Sequence, residues 1–253
     1  MIITTDQLGT VLELPGIPGR IVCLVPSITE LLVDLGLESS VVGCTKFCVR
    51  PLHLRSRQRL VGGTKNVRVE KVAELTPDLI IANKEENTRE EVELLAKQFP
   101  TWVSRVRTVA EANEMITALG RLFAVEDRAA AIIAANRKTL ELHRLPTPQK
   151  ALYLIWRAPW MSVGGDTYIH DVMQQLGYEN VAGDQLRYPT LSIDEIRALA
   201  PDRIMLSSEP YPFKPEHLEE WLEILPQAKV ELVDGEFFSW YGSRLGNLAG
   251  PQV

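Results

Sequence analysis

The feature that most constrains the fold of this chain is a phrase that the sequence contains twice. One copy begins at Thr76 and reads TPDLIIANKEEN, and the other begins at Ala200 and reads APDRIMLSSEPY, so that Pro77 and Pro201 stand 124 positions apart. Neighbouring positions keep this offset with residues of the same kind: Val69 and Ile193, Val72 and Ile196, Leu75 and Leu199, Asp78 and Asp202, Ile80 and Ile204. A phrase repeated at one offset predicts two lobes of similar structure.

Short apolar runs alternate with amphipathic stretches in both halves of the chain. The apolar runs predict strands at 20–25, 40–45, 78–83 and 101–106 in the first half and at 150–156, 202–208 and 229–234 in the second. The amphipathic stretches predict helices at 69–75, 88–99, 169–178, 193–200 and 215–225. Because short loops join these elements, the pattern is typical of parallel, three-layer α/β units.

The first predicted strand leads into a helix whose start carries a candidate cap. Ser27 stands three residues before Glu30, which is the spacing of a capping box. The helix is expected to end near Gly36, where a Leu-Gly pair also matches the end of the predicted helix at 169–178.

A helical segment, residues 108–149, separates the two halves. It has no strand signal, and residues from about 126 to 145 predict a helix of roughly 30 Å. We therefore expect an α/β protein with two Rossmann-like lobes, residues 1–107 and 150–253, whose parallel sheets are joined through one long helix. A helical connector is stiffer than a Gly/Ser linker, so the lobes are expected to bend only slightly about the cleft between them.

The charge balance argues against several classes of partner. The chain has a formal net charge of −6 and no run of basic residues, so neither nucleic acid nor an anionic membrane is an expected partner. No apolar run approaches the ~20 residues of a membrane-spanning helix, and direct membrane insertion is not expected. The N-terminal residues lack the pattern of a secretory signal, so we expect either a cytoplasmic protein or a periplasmic one whose leader has been removed.

Cysteine and histidine residues give no sign of a metal site. Cys23, Cys44 and Cys48 are too few, and odd in number, for a disulfide framework. Free thiols are expected, with pairing of Cys44 and Cys48 as the alternative. The four histidines are scattered without ligand spacing, so neither a bound metal nor an intrinsic cofactor is expected.

Residues that follow the predicted strands are rich in aromatic rings and separated cations. The carboxyl ends of parallel strands form the working surface of α/β units, so these residues are candidate ligand contacts. The candidates are Phe47, Trp156, Trp160, Tyr211, Trp240 and Tyr241 among the aromatic residues, and Lys46, Lys65, Lys84, Arg157 and Arg244 among the cations. Such a surface suits a large, flat, partly anionic organic ligand. The alternative for any single ring is that it packs the end of a lobe's core.

Motifs of catalysis are missing from the sequence. It contains no GxSxG, HExxH, Walker A or helix-opening GxGxxG pattern. Four acids lie near the predicted strand ends, namely Glu85, Glu86, Glu209 and Glu236. Because the sequence pattern arranges no partner for them, general acid–base catalysis is not predicted.

The stretch RIVCLVPSITELLVDLGLESSVVGCTKFCVRP, the loop GGTKN at 62–66 and the two copies of the phrase together resemble a known family. They are similar to the helical-backbone (class III) substrate-binding proteins of ABC importers for cobalamin, ferric siderophores or haem. The opening is most similar to the cobalamin-binding branch, and the resemblance covers about residues 5–245. It implies a monomeric periplasmic protein that holds cobalamin, or next a ferric siderophore or haem, in the cleft between two lobes and delivers it to an ABC permease dimer.

The resemblance also implies roles for individual residues. Ligand contacts are expected in the loops around Phe47, Gly63, Trp156 and Trp240. Permease docking is expected at Glu70 and Asp194, each seven positions before the proline of its phrase, with Glu195 sharing the second role. An acid near a helix N-terminus is favourable in any protein, which is the alternative for these three residues.

The sequence shows neither a leader nor a lipobox cysteine near its start, which departs from the importer receptors. Two alternatives to that function therefore stay open. One is a cytoplasmic protein that binds a corrinoid or another cofactor, and the other is an enzyme on the same fold. Turnover of a bound ligand would separate the enzyme from a binding protein.

Overall fold

The computed structural model describes residues 1–56 and 59–247 of the chain. These residues fall into two compact units, which we call unit 1 and unit 2. Unit 1 comprises Met1–Val106, Ala110–Ala134 and Tyr241–Arg244. Unit 2 comprises Arg107–Val109, Ala135–Trp240 and residues 245–247.

Unit 1 is built on a parallel sheet with buried central strands. The strands of the first half of the chain are β1 (Ile2–Thr5), β2 (Val11–Leu14), β3 (Ile21–Cys23), β4 (Val41–Cys44), β5 (Arg59–Leu60), β6 (Gly62–Gly63), β7 (Asn66–Val67), β8 (Leu79–Asn83) and β9 (Thr101–Ser104). The main sheet has the order β5-β4-β3-β8-β9, with every neighbouring pair parallel. The pairs β1–β2 and β6–β7 are antiparallel hairpins outside it. All of β8 is buried, as its continuous apolar run predicts.

The helices of the first half of the chain are α1 (Pro26–Asp34), α2 (Val69–Glu74), α3 (Arg89–Ala96), α4 (Val109–Leu122) and α5 (Glu126–His143), and short 3₁₀ turns lie at Glu38–Ser40 and Leu52–Ser56. Helix α1 begins one residue before the predicted cap. Pro26 is its first residue, where a fixed φ favours the helix, and no side chain caps it. The predicted Ser27–Glu30 capping box is therefore wrong, since both residues are buried inside the helix. Its end agrees with the prediction, because Gly36 follows in the left-handed region at φ +82°.

The segment predicted as a helical connector contains two helices, and the second, α5, confirms the helix predicted over about 126–145. Helices α4 and α5 are separated at Ala124, which has a φ of +54°. Helix α4 buries Met115, Ile116 and Leu119, so its apolar face packs within unit 1. Helix α5 continues from unit 1 into unit 2, with the division after Ala134, which agrees with two lobes joined by one long helix. Within the described ranges, no helix is both long and apolar enough to span a membrane.

Unit 2 repeats the parallel sheet and extends it with antiparallel strands. Its strands are β10 (Gln149–Trp156), β11 (Trp160–Ser162), β12 (Tyr178–Asn180), β13 (Thr190–Leu191), β14 (Arg203–Ser207) and β15 (Lys229–Val233). The remaining helices are α6 (Tyr168–Gln175), α7 (Ile193–Leu199), α8 (Pro215–Ile224), α9 (Gly235–Ser239) and α10 (Arg244–Asn247). Strands β12, β14 and β15 belong to the parallel part with β10, as was predicted for β14 and β15. The sequence did not predict β11 and β13. Strand β11 runs antiparallel to β10 because the chain turns back at 157–159, and β13 pairs antiparallel with the other edge of β11.

The repeated phrase forms the same joint in each unit. In unit 1 the backbone N–H of Asp78 donates to the carbonyl of Arg20 (2.8 Å), and its carboxylate accepts from the N–H of Gly19 (3.0 Å). In unit 2 the N–H of Asp202 donates to the carbonyl of Lys150 (2.9 Å), and its carboxylate accepts from the N–H of Lys150 (3.1 Å). Each aspartate therefore ties the start of its strand to the neighbouring central strand, β3 or β10.

The residue before each proline of the phrase lies in the left-handed region. Thr76 has a φ of +42° and Ala200 a φ of +45°, and each follows the last turn of a helix, α2 or α7. A left-handed residue at this position ends the helix, as glycine usually does. A non-glycine residue there costs about 1–2 kcal/mol, so both units carry the same local strain at the same joint.

Candidate functional site

In unit 1, four of the candidate residues lie together at the carboxyl end of β4 and around the β6–β7 hairpin. Lys46, Phe47, Gly63 and Lys65 line a cavity of about 420 Å³. The other residues that line it are Gly62, Thr64, Asn66 and Arg68. Arg68 is not among the residues predicted from the sequence, where its only signal is its position two residues after the GGTKN loop. We call this cavity the unit 1 pocket.

The hairpin of the unit 1 pocket is fastened to the end of the main sheet. The side-chain amide of Asn87 donates to the carbonyls of Thr64 (2.9 Å) and Leu24 (3.3 Å). The Nζ of Lys65 donates to the carbonyl of Glu85 at 2.8 Å. The side chain of Asn87 is buried, and a buried donor is costly to leave without a partner, so its hydrogen bonds hold the hairpin in a defined position.

Phe47 and Lys84 are both exposed, but only Phe47 lines the unit 1 pocket. The Phe47 side chain is 49% exposed. A Cβ atom at Gly63 would lie 3.3 Å from the Phe47 ring, so glycine allows the ring to approach the backbone closely. The Nζ of Lys46 lies 5.0 Å from the ring centroid, within the range of a cation–π contact. The ring of Phe47, the ammonium group of Lys46 and the backbone of Gly63 form one surface. This surface suits a planar ligand.

Tyr241 and Arg244 contact acidic side chains within unit 1. The buried Tyr241 hydroxyl donates to Oε1 of Glu86 at 2.7 Å, and burial together with that carboxylate raises the pKa of Tyr241. Arg244 is 5% exposed and donates from Nη2 to the carboxylate of Glu30. These contacts hold the segment 241–244 in place, and they occupy the groups that the sequence suggested for ligand binding.

In unit 2, the aromatic candidates form a cluster that packs onto the core. The ring centroid of Trp160 lies 4.7 Å from that of Trp221 and 6.3 Å from that of Phe213. Trp160 therefore packs the end of the core, which is the alternative that the sequence left open. Trp156 and Tyr211 meet edge-on with centroids 5.6 Å apart, and Trp156 is 40% exposed. Trp156 thus presents a ring that a ligand can reach.

Arg157 is paired with a carboxylate of unit 2. Its Nε and Nη2 atoms donate to the two carboxylate oxygens of Glu220 at 3.0 and 3.1 Å. This hydrogen-bonded pair raises the pKa of Arg157. The guanidinium carbon also lies 5.8 Å from the ring centroid of Trp160. A bidentate contact of this kind fixes the cation and compensates its charge.

Trp240 donates a hydrogen bond to a half-buried carboxylate. It is 8% exposed, and its indole N–H donates to Oε1 of Glu209 at 3.0 Å. The hydroxyl of Ser239 donates to the same oxygen at 2.6 Å. Burial raises the pKa of Glu209. Glu209 thus orients Trp240, and no local sequence pattern indicates this contact because the two residues are 31 positions apart.

The residues suggested for permease docking have equivalent places in the two units. Glu70 and Asp194 are the second residues of helices α2 and α7, and both are exposed. The Asp194 side chain is 92% exposed and lies 3.2 Å from Nη1 of Arg197. Glu195 differs, because its carboxylate accepts from the N–H and the hydroxyl of Ser192, each at 2.7 Å, in a complete capping box. These hydrogen bonds lower the pKa of Glu195.

The thiols and acids of the described residues do not form a metal centre. Within residues 1–56 and 59–247, no group of three or more His, Cys, Asp or Glu side chains is placed to hold a metal ion. Cys23, Cys44 and Cys48 are buried free thiols. The Sγ of Cys48 lies 3.2 Å from the hydroxyl of Thr29, so this thiol has a polar neighbour in the core.

The class of the protein follows from its match to a family. Residues 21–221 match the family described as periplasmic binding protein. The chain belongs to this family, which confirms the family that the sequence motifs predicted, and it is a substrate-binding protein rather than an enzyme.

Similar proteins agree with that class. An uncharacterized ABC transporter substrate-binding lipoprotein, YvrC of Bacillus subtilis (strain 168), is 25% identical over 90% of this chain and 76% of its own. The vitamin B12-binding protein of Vibrio vulnificus (strain CMCP6) is 24% identical over 83% of this chain and 78% of its own. The solved structure of a periplasmic haem-binding protein from Pseudomonas aeruginosa shares the fold with a TM-score of 0.77, at 21% identity over 90% of this chain and 89% of its own.

Proposed function

We propose that this chain captures a cobalamin-type corrinoid for an ABC importer, with haem and ferric siderophores as the next candidates. The observation that carries the proposal is the similarity to the vitamin B12-binding protein of Vibrio vulnificus, which extends over 83% of this chain. The similarity to an ABC transporter substrate-binding lipoprotein supports an importer as the partner. The haem-binding structural neighbour is the reason to include haem among the ligands to test.

The proposed ligand contacts lie at the carboxyl ends of the strands in each unit. Lys46, Phe47, Gly63 and Lys65 serve in unit 1, and Trp156 serves in unit 2. The exposed faces of Phe47 and Trp156 suit a flat macrocycle, because aromatic side chains bring a large apolar area with little loss of conformational freedom.

Titration of tryptophan fluorescence tests the ligand. Cobalamin, haem and a set of ferric siderophores are added in turn to the purified protein, with correction for absorption by the ligand. We expect saturable quenching by one of them, with a Kd at or below the micromolar range. If none of these ligands gives saturable quenching, the proposed ligand class is overturned.

The variant Trp156→Ala tests the contact in unit 2. We expect the Kd for the bound ligand to rise more than tenfold while the circular dichroism spectrum stays unchanged, because the removed ring is partly exposed. The matched control is Leu142→Ala, which removes an exposed apolar side chain from helix α5. Equal affinity in the two variants would remove Trp156 from the proposed site.

Glu70 and Asp194 are the proposed contacts with the permease. Both are exposed acids in the first turn of equivalent helices, α2 and α7, so each unit offers one carboxylate in the same local setting. Glu195 serves the capping box of α7, and its carboxylate is engaged with Ser192. Arginine side chains on the permease would suit such exposed carboxylates through paired hydrogen bonds.

Charge reversal tests the docking. The double variant Glu70→Lys, Asp194→Lys is added to the cognate permease in proteoliposomes, and stimulation of ATP hydrolysis is measured. We expect stimulation to fall at least tenfold while ligand affinity is unchanged. The control reverses two exposed acids in the first turns of other helices, Glu90→Lys in α3 and Glu216→Lys in α8. Equal stimulation by both variants would reject these docking residues.

We also propose that the protein acts outside the cytoplasm and as a monomer. The chain belongs to the periplasmic binding protein family, and one relative is named a lipoprotein, which supports a place outside the cytoplasm. Fractionation of cells that express the full gene measures the compartment, and light scattering after gel filtration measures the mass. A cytoplasmic protein, or a stable dimer, would contradict this part of the proposal.

A further inference from the structure

The unit 1 pocket is lined by positively charged side chains, although the chain as a whole has a negative net charge. Lys46, Lys65 and Arg68 all line the pocket, and no acidic residue is among its lining residues as the structure describes them. The whole chain carries a formal charge of −6. Three cations around one cavity repel each other and so favour an anion within it.

The three cations keep their charge available. None of them takes part in the ion pairs found among the described residues. The ammonium of Lys65 uses one of its three donors on the carbonyl of Glu85, and that contact holds Nζ at the pocket. Arg157 of unit 2 differs, because Glu220 already compensates its charge.

The pocket is also held in shape before any ligand arrives. Asn87 fixes the hairpin through the carbonyl of Thr64, and Gly63 lies against the ring of Phe47. Its volume of about 420 Å³ falls within the range of small-molecule pockets. A preformed cavity loses less free energy to ordering when it binds.

We propose that Lys46, Lys65 and Arg68 bind an oxyanion of the ligand, a carboxylate or a phosphate, while Phe47 contacts the adjoining flat ring. The inference rests on the proposed function, because it takes the unit 1 pocket as part of the ligand site. It restricts the proposed ligands to macrocycles that carry an anionic group at their edge. Two sources share this chemistry, namely the carboxylates of a porphyrin and the phosphodiester of a corrinoid.

A first experiment tests oxyanion binding without the natural ligand. Inorganic phosphate and acetate are titrated into the ¹⁵N-labelled protein, and the amide signals of residues 63–66 are followed by NMR. We expect saturable shifts with a millimolar Kd that weaken as NaCl rises from about 50 to about 500 mM, since salt screens exposed charges. Loss of the shifts is expected in the variant Lys46→Gln, Lys65→Gln, Arg68→Gln.

A matched control variant shows whether a loss of anion binding is specific to the three cations of the unit 1 pocket. The variant Lys71→Gln, Lys97→Gln, Arg121→Gln removes the same charge from exposed positions of unit 1 outside the pocket. It should bind phosphate and acetate as the wild type does. The inference is overturned if the wild type shows no saturable shift, or if both variants lose it equally.

A second experiment distinguishes the two sources of the anion. Affinity is measured for haem against haem dimethyl ester, and for cobalamin against cobinamide, which lacks the phosphodiester. We expect the charged member of one pair to bind at least tenfold more tightly to the wild type, and the difference to vanish in the Lys46→Gln, Lys65→Gln, Arg68→Gln variant. Equal binding of both members of each pair would overturn the inference.

The two proposals fail in different ways. If the ligands of the panel bind but the pocket variant binds them as tightly as the wild type, the proposed function stands and the oxyanion site is rejected. If phosphate and acetate bind to the pocket but no macrocycle binds, the oxyanion site stands and the proposed ligand class is rejected.

Discussion

The two copies of the repeated phrase end in the same local hydrogen bond and then diverge. Asn83 ends strand β8 of unit 1, and Ser207 ends strand β14 of unit 2. Each side chain accepts from the backbone N–H two residues further on, that of Glu85 at 2.8 Å or that of Glu209 at 3.3 Å. The local sequence therefore builds the same strand end in both units.

The two glutamates that follow have different surroundings. Glu85 is half-buried, and its carbonyl accepts from Lys65 beside the unit 1 pocket. Glu209 is also half-buried, but its carboxylate accepts hydrogen bonds from Trp240 and Ser239. The unit 1 pocket thus offers three cations that take part in none of the ion pairs found among the described residues. In unit 2, the carboxylate of Glu209 orients the ring of Trp240. The repeated phrase therefore encodes the backbone framework of each unit, while residues distant in the sequence determine which side chains lie around each strand end.

The largest expected difference between the units concerns their ion pairs. In unit 1 the side chains of Glu30 and Arg244 are 9% and 6% exposed, whereas in unit 2 those of Glu220 and Arg157 are 31% and 40% exposed. Arg244→Met should lower the free energy of unfolding by about 3–5 kcal/mol, because it leaves a buried carboxylate without its cation. Arg157→Met should lower it by about 0–1 kcal/mol. Urea denaturation measures both values.

A double variant provides the control for the buried pair. Glu30→Met combined with Arg244→Met removes both charges, and it should recover most of the lost stability because no buried charge remains. If Arg244→Met lowers the free energy of unfolding no more than Arg157→Met does, the expected difference between the two ion pairs is wrong.

An intermediate effect should be the same in both units. Thr76→Gly and Ala200→Gly relieve the left-handed strain that precedes each proline. Each should raise the free energy of unfolding by about 0.5–1 kcal/mol, because the relieved strain exceeds the added freedom of glycine in the unfolded chain. Urea denaturation again provides the measurement. Ala198→Gly, within helix α7, is the control and should destabilise the protein by about 1 kcal/mol. Stabilisation by only one of the first two variants would show that the joints are not equivalent.

The smallest expected effect is a pH dependence of stability, which arises from Glu209 of unit 2. Burial raises the pKa of Glu209 above its ordinary 4.5, so the folded protein binds this proton more tightly than the unfolded chain. The stability that this tighter proton binding adds to the folded state is therefore fully present below pH 4.5. It is lost as the pH rises through the raised pKa of Glu209. The Tm of the wild type minus that of Glu209→Gln should fall as the pH rises from about 4 to about 8. A difference in Tm that does not change with pH would contradict this role.

Part of the candidate site was predictable because it depends on residues near each other in the sequence. Lys46 and Phe47 follow a predicted strand and Lys65 lies in the nearby GGTKN loop, so sequence position indicated three residues that line the unit 1 pocket. The family resemblance added Gly63. Arg68 was missed because it follows a short hairpin strand rather than a strand of the main sheet. Trp160 was a candidate on the same grounds as Trp156, and only packing against Trp221 separates the two.

The sequence by itself determined the repeated framework. Strand and helix positions follow from the spacing of apolar residues, and the Pro-Asp joint follows from neighbours a few positions away, so both copies could be recognised in the chain. Tertiary structure decided the contacts between distant residues. Glu30 has the spacing of a cap, yet it lies inside its helix and pairs with Arg244, 214 positions away. The physical reason is that a cap depends on the backbone of one turn, whereas a buried charge requires whichever partner the folded chain brings beside it.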